Sequence, residues 1–172
     1  MTREISAGGV VLREISGVWQ VALIEPRKDN PTEDEPAKQD LKRAASPRKR
    51  SRAVFMLPKG IVDAGETARV AAVREVQEET GITAAIVTKL ADNKYVYVRK
   101  WGDGERVFKI VSFYLMRYLS GEIDDLADDM RIEVMRAVWV PLADAAKQLA
   151  YSNERKVLRQ AQEHLEKRGL TA

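Results

Sequence analysis

Gly60-Ile61-Val62-Asp63-Ala64-Gly65-Glu66-Thr67-Ala68-Arg69-Val70-Ala71-Ala72-Val73-Arg74-Glu75-Val76-Gln77-Glu78-Glu79-Thr80-Gly81-Ile82 is the stretch from which the rest of the chain is read. Thr67 is a good helix N-cap and Gly81 a good left-handed stop, and between them they predict a helix of about thirteen residues. At about 100° per residue, Glu75, Glu78 and Glu79 fall within an arc of roughly 100°. Val70, Val73 and Val76 cluster on the opposite side, and that face is expected to seal against the core. Like charges at i, i+3 and i+4 repel by on the order of a few tenths of a kcal/mol per pair, and only Arg74 borders them. A solvated acidic face is one reading. A divalent-cation site fits better, because carboxylate oxygens are the donors that Mg²⁺ and Mn²⁺ prefer.

Just upstream, Val54–Leu57 reads as a short buried strand ending at Pro58. Gly60 and Gly65 permit tight turns that bring backbone groups near a phosphate. The run from Gly60 to Thr67 imitates a P-loop, but Glu66 stands where that motif needs lysine, which excludes a Walker-type site. Further out, Val10–Leu12 and Val18–Ile24 flank a Ser16-Gly17 turn and predict a hairpin. Ile86–Leu90, Tyr95–Arg99, Val107–Tyr118 and Ala137–Val140 read as strands, with a turn at Trp101-Gly102-Asp103-Gly104. Leu142–Ala150 and Ser152–Arg168 read as helices. The expectation is one α/β (α+β) domain over residues 1–172, a mixed sheet covered by helices.

Composition narrows the chemistry. The chain has 172 residues, no cysteine and one histidine, His164. Disulfides, thiolate metal sites and thiol catalysis are excluded, and Ser–His machinery is disfavoured. His164 lies beside the apolar set Val157, Leu158, Ala161 and Leu165 and reads as structural or exposed. The N-terminus lacks an apolar leader and no run reaches membrane-span length, so a cytoplasmic protein without membrane contact is expected. The net charge of +3 comes from 29 basic and 26 acidic residues, and it conceals a segregation. Residues 28–41 hold five acids and two lysines, and residues 42–52 hold six basic residues and no acid. With Pro31, Pro36 and Pro47, residues 28–53 read as a polar insertion. The basic run is a solvated loop on one reading and a phosphate-attracting arm on the other. Without interleaved aromatics, a nucleic-acid partner is disfavoured.

The spacing G-x5-E-x7-R-E-(aliphatic)-x-E-E-x-G-(aliphatic) resembles the Nudix box. Every constrained position matches: Gly60, Glu66, Arg74, Glu75, Val76, Glu78, Glu79, Gly81 and Ile82. A chance match at a given start is on the order of 10⁻⁹ to 10⁻¹⁰ at average residue frequencies, so the motif is specific. The resemblance covers the chain apart from residues 28–53. It implies an α/β/α sandwich that hydrolyses a phosphoanhydride bond of a nucleoside diphosphate-linked substrate, using Mg²⁺ or Mn²⁺. Glu75, Glu78 and Glu79 look like the metal-binding carboxylates, joined by the carbonyl of Lys59. Arg74 would orient them. Glu66, Gly60 and Gly81 would be structural parts of the motif. Family members differ in which glutamate is the general base, and the residues leave that open.

Leu57-Pro58-Lys59-Gly60 resembles the stretch found in Nudix enzymes of dinucleoside polyphosphates, such as diadenosine tetraphosphate, and their nucleoside-triphosphate relatives, so such a substrate is the leading expectation and Lys59 is expected to contact it. Glu133, six residues before Trp139, resembles an additional metal ligand, with a surface acid as the alternative. Tyr151 resembles an aromatic residue beside a nucleobase. Tyr95, with Tyr97 and Trp101 nearby, could stack a base, although cross-strand packing explains it equally. Trp139 reads as core. Arg27, at the end of the second strand, could meet phosphates or simply face solvent. Diphosphoinositol polyphosphates and nucleotide sugars are alternative substrates. A non-catalytic nucleotide-sensing or nucleic-acid-binding Nudix domain is the reading of another class, disfavoured because no box glutamate is lost. Whether the chain is a monomer or a homodimer is left open.

Overall fold

Ser16 and Gly17 both adopt positive φ, 51° and 78°, and this two-residue turn joins the first two strands. A positive φ at both central positions is what the right-handed twist of a hairpin needs. In the computed structural model, which describes residues 1–27, 53–99 and 102–171, β1 (Thr2–Ile15) runs far beyond Val10–Leu12, and β2 (Val18–Pro26) ends two residues past Ile24. They are followed by β3 (Lys59–Ile61), helix α1 (Ala68–Thr80), β4 (Thr83–Val98) and β5 (Arg106–Ser120). A 3-10 turn over Met130–Ile132 leads into β6 (Val134–Pro141), helix α2 (Leu142–Gln148) and helix α3 (Ser152–Arg168).

The six strands form one mixed sheet in the order β4-β5-β1-β2-β6, with β3 paired to β1. β1 and β5 are parallel, and the other pairings are antiparallel. Alternation along β1 divides the core. Val10 and Leu12 point to one face, where Val21, Leu23, Phe113 and Leu115 meet Ala145 of α2 and Val157 and Leu158 of α3. Ala7 and Val11 point to the other, where Ala22, Tyr114 and Met116 meet Ala71, Ala72 and Val76 of α1. Fully buried valines and leucines of this kind contribute roughly 1.5–3 kcal/mol each. The predicted mixed sheet between helical layers is what the chain forms.

Two local expectations change. Val54–Leu57 is not a strand: Phe55 and Met56 make only isolated bridges, to Leu149 and Ile24. The pairing instead falls on Lys59–Ile61, because Gly8 and its neighbours on β1 offer that segment a free edge. The segments read as Ile86–Leu90 and Tyr95–Arg99 are one continuous strand, β4, whose register slips near Thr83, Ile86 and Lys89. Bulges of this kind interrupt the alternation on which the separate reading rested. The turn expected at residues 101–104 has Gly102 and Gly104 at positive φ, and Trp101 lies outside the described residues. So does the polar insertion, apart from its final residue, Ala53.

Candidate active site

Helix α1 begins and ends where its caps require. The Thr67 hydroxyl accepts from Val70 N at 3.2 Å, and Gly81, at φ 82°, donates its N–H to Gln77 O at 2.9 Å. The buried face differs from the expected valine stripe. Val70 is 57% exposed, whereas Glu75 and Glu79 are buried with Ala71, Ala72, Val76 and Thr80. The reason is the neighbour. The segment Leu57-Pro58-Lys59-Gly60 crosses this side of the helix, tied to β1 by the N–H of Gly9 donating to Pro58 O at 3.1 Å.

That crossing strap positions two carboxylates. Lys59 N donates to Glu79 Oε2 at 2.9 Å. A Cβ on Gly60 would lie 2.1–2.3 Å from the carboxylate of Glu75, so only glycine leaves room for it. Arg74 organises the rest. Its Nε and Nη2 donate to the two oxygens of Glu66 at 2.8 and 2.9 Å, a bidentate pair. Nη2 also donates to Ile61 O at 3.0 Å, while Nη1 donates to Glu75 Oε1 at 2.8 Å and Glu78 Oε2 at 3.1 Å. Glu66 in turn accepts from Asp63 N at 3.0 Å. One guanidinium therefore joins the loop to both Glu75 and Glu78.

The electrostatics separate these acids. The hydrogen bonds from Arg74 and then Asp63 N pull Glu66 down to about 2. Pairing with Glu66 raises Arg74 further above its ordinary range. Burial pushes Glu75 up, against the pull of Arg74 and with the added repulsion of Glu78 and Glu133. Burial pushes Glu79 well above the usual carboxylate range, and the charge of Lys59 offsets only part of it. Glu133, although exposed, acts on both buried glutamates, so the structure brings it into their neighbourhood.

These residues suit a hard divalent cation by donor type. Glu75 Oε2, Glu78 Oε1 and Glu79 Oε1 make no hydrogen bond among the described residues, and burial loads the site with charge that a cation would relieve. Among the described residues no three carboxylates already converge as a cage. Arg74 is the positive charge that Glu75 and Glu78 share.

Beside the strap lies a cleft of about 300 Å³, including solvent at its mouth, with Val111 and Phe113 as its floor. Lys59, Tyr95 and Tyr151 line it, as the sequence reading proposed for substrate contacts. Asn93, Asn153 and Glu154 line it as well, and sequence reasoning missed all three. Asn93 Nδ2 and Asn153 Oδ1 are buried and have no hydrogen-bond partner among the described residues. Glu154 is 3% exposed; its Oε1 accepts from Leu57 N at 2.7 Å and its Oε2 lies 3.8 Å from Lys59 Nζ. The available signal was weak: Asn153-Glu154 is a polar pair opening an amphipathic helix, a pattern that normally means a solvated first turn.

Other candidates sit elsewhere. Arg27 does not line the cleft. Its backbone N donates to Glu133 O at 3.0 Å and its Nε bonds Arg131 O, so it braces the Glu133 segment. Trp139 packs at 5.8 Å, edge-on, against Tyr118, consistent with the core reading. Tyr97 is buried and donates to Glu4 Oε2 at 3.1 Å.

A NUDIX domain profile matches residues 41–161. The chain is 38% identical over 166 residues to MutT4 of Mycobacterium tuberculosis (strain CDC 1551 / Oshkosh), a protein named as a candidate mutator protein. That match covers 95% of this chain and 56% of the relative. It is 38% identical over 105 residues to the 8-oxo-(d)GTP phosphatase of Mycolicibacterium smegmatis (strain ATCC 700084 / mc(2)155), covering 61% of this chain and 29% of that protein. The chain thus spans a little over half of the first relative and under a third of the second. In three dimensions it superimposes on the Ap4A hydrolase of C. elegans in a binary complex, with a TM-score of 0.61 and 24% identity over 95% of this chain and 98% of the other. That likeness establishes the fold. Taken with the complete box and its Arg74-centred geometry, the profile match shows that the chain belongs to the Nudix hydrolase family.

Proposed function

We propose that this chain is a divalent-metal-dependent pyrophosphohydrolase of nucleoside polyphosphates, releasing a nucleoside monophosphate from a nucleoside triphosphate. The observation that carries the reading is the union of two features. Glu75 and Glu78 are gathered by Arg74, and Glu79 is held by Lys59 N. Lys59 also lines a cleft with two tyrosines and two amides that each keep an unpartnered polar atom among the described residues. The family is divalent-metal dependent, and the acceptor-only donor set favours Mg²⁺ or Mn²⁺. Glu75, Glu78 and Glu79, with Lys59 O and Glu133, would hold the cation, which when bound neutralises phosphate oxygens and acidifies a water.

The chain's own residues then do the positioning. Arg74 keeps Glu75 and Glu78 in place and is itself anchored by Glu66. Glu75 and Glu79, both raised, are the carboxylates best able to take a proton from an attacking water. Lys59 lies between the glutamates and the cleft, where its ammonium can meet a phosphate. Tyr95 and Tyr151 supply faces for a base, and Asn93 and Asn153 offer one donor and one acceptor to its edge. Residues 1–172 are read as one domain with an insertion at about 28–53. That reading is supported by β1 and β2 joining the same sheet although they precede the matched profile.

The name of one curated relative, an 8-oxo-(d)GTP phosphatase, favours a nucleoside triphosphate, including an oxidised one. Leu57-Pro58-Lys59-Gly60 favours a second reading, a dinucleoside tetraphosphate. A panel of nucleoside triphosphates, 8-oxo-dGTP and diadenosine tetraphosphate with Mg²⁺ or Mn²⁺, with products separated by chromatography, tests both. Monophosphate plus pyrophosphate as the dominant products supports the first reading, and ATP plus AMP at a higher kcat/KM supports the second. No turnover of any member contradicts the proposal.

A further inference from the structure

We propose that Asp124, clamped by Arg131, is a positioning residue that sets Glu133 against the carboxylates of α1. This rests on the reading of Glu133 as part of the cation site, and the observations behind it are the bonds that tie the 122–137 segment together and seat it on the end of α1.

Among the described residues only Ser16 and Asp124 combine a side chain with positive φ. Ser16 belongs to a hairpin turn. Asp124, at φ 73°, does not, and a left-handed aspartate is held only where its surroundings specify it. Its backbone N donates to Thr80 O at 2.8 Å, directly after Glu79 at the end of α1. The same end is closed by Gly81, where a Cβ would lie 2.6 Å from Asp125 O and 2.7 Å from Glu122 O. The 122–125 loop is thus seated on the helix terminus that carries Glu79.

The side chain of Asp124 reaches the other way. Its Oδ1 accepts from Arg131 Nη1 at 2.9 Å and from Ala137 N at 2.8 Å. Arg131 Nη2 donates to the Asp124 carbonyl, and Nη1 also donates to Met135 O at 3.2 Å. Arg131 and Met135 flank Glu133 by two residues on each side, so one guanidinium spans the segment that presents it. Glu133 N closes the 3-10 turn on Met130 O at 3.1 Å, and its carbonyl receives Arg27 N at 3.0 Å. The backbone of Glu133 is pinned on both sides, and Asp124 connects that pin to Thr80. Burial pushes Asp124 up, but the bonds from Arg131 and Ala137 N, with the charges of Arg131 and Arg136, outweigh it and leave its carboxyl below the usual range. The clamp therefore stays ionised at neutral pH.

Arg131 and Asp124 are 35% and 39% exposed, so the pair itself adds little to global stability. Its effect should appear in cation affinity. Asp124→Gly keeps the left-handed backbone and removes the carboxylate, which makes it the appropriate variant. The readout is the Mn²⁺ concentration giving half of the maximal rise in melting temperature, measured without substrate. Asp124→Gly should raise this midpoint about tenfold. Glu133→Gln should raise it at least as far, and the double variant no further than the larger single effect, because the two act in series. Asp124→Asn keeps an oxygen for Ala137 N and should recover part of the loss. It also stands in if Asp124→Gly fails to fold in EDTA. A midpoint moved by Glu133→Gln but not by Asp124→Gly, or effects that add in full, overturns the clamp alone. A midpoint unmoved by Glu133→Gln overturns the assignment of Glu133 and the clamp with it.

Discussion

Glu79 shows most clearly how one residue can be unfavourable for the fold and suited to the chemistry. It lies buried, its Oε2 accepts from Lys59 N, and its proton affinity is raised chiefly by burial. A carboxyl with a raised folded pKa binds its proton more tightly in the native state. Its contribution is therefore favourable below the unfolded value near 4.5 and is lost as pH climbs through the raised folded value. In EDTA, stability should decline over that rise, with Glu75 adding to the slope in the same direction. Saturating Mn²⁺ should flatten the decline. Urea unfolding at stepped pH with and without Mn²⁺ checks this, and identical curves would contradict a cation at these carboxylates. From the sequence, the three glutamates and Arg74 were legible because helical spacing alone brings them together. Asn93, Asn153 and Glu154 were not legible, because β4, the strap and α3 meet only through the sheet.

At the scale of the element, α1 is the part that sequence reads best, since Thr67 and Gly81 bracket it through local backbone chemistry. The face it buries was misjudged, because periodicity counts valines and does not know that Gly60 draws Glu75 inward. The two caps should differ in cost. Thr67→Ala removes one side-chain hydrogen bond and should destabilise by about 1 kcal/mol. Gly81→Ala forces a side chain into φ 82° and against two carbonyl oxygens, and should destabilise by about 2 kcal/mol or more. Urea unfolding midpoints separate the two, and equal shifts would show that the 122–125 loop does not depend on Gly81. The same limit explains the strands. β4 reads as two segments in sequence because its bulges break the alternation, while α3 was bounded correctly from its apolar spacing alone.

For the whole molecule, the net charge of +3 separates into two parts. Without the six basic residues of 42–52, the remaining 23 basic residues face 26 acids, a balance of −3. Among those acids, Glu133 is close enough to add its charge to Glu75 and Glu79 although it is remote from them in sequence. The parallel pairing of β1 with β5 and the antiparallel pairing of β2 with β6 make that approach possible, and no local pattern announces either. Among the described residues no helix is long and apolar enough to cross a membrane. The most direct test of the central claim is the Glu79→Gln variant, assayed for nucleoside-triphosphate hydrolysis at saturating Mn²⁺ with its melting temperature measured in EDTA. Removing a charge without changing shape should lower kcat/KM about 100-fold or more, while the EDTA melting temperature stays equal or rises. Near-normal turnover by Glu79→Gln would contradict the account.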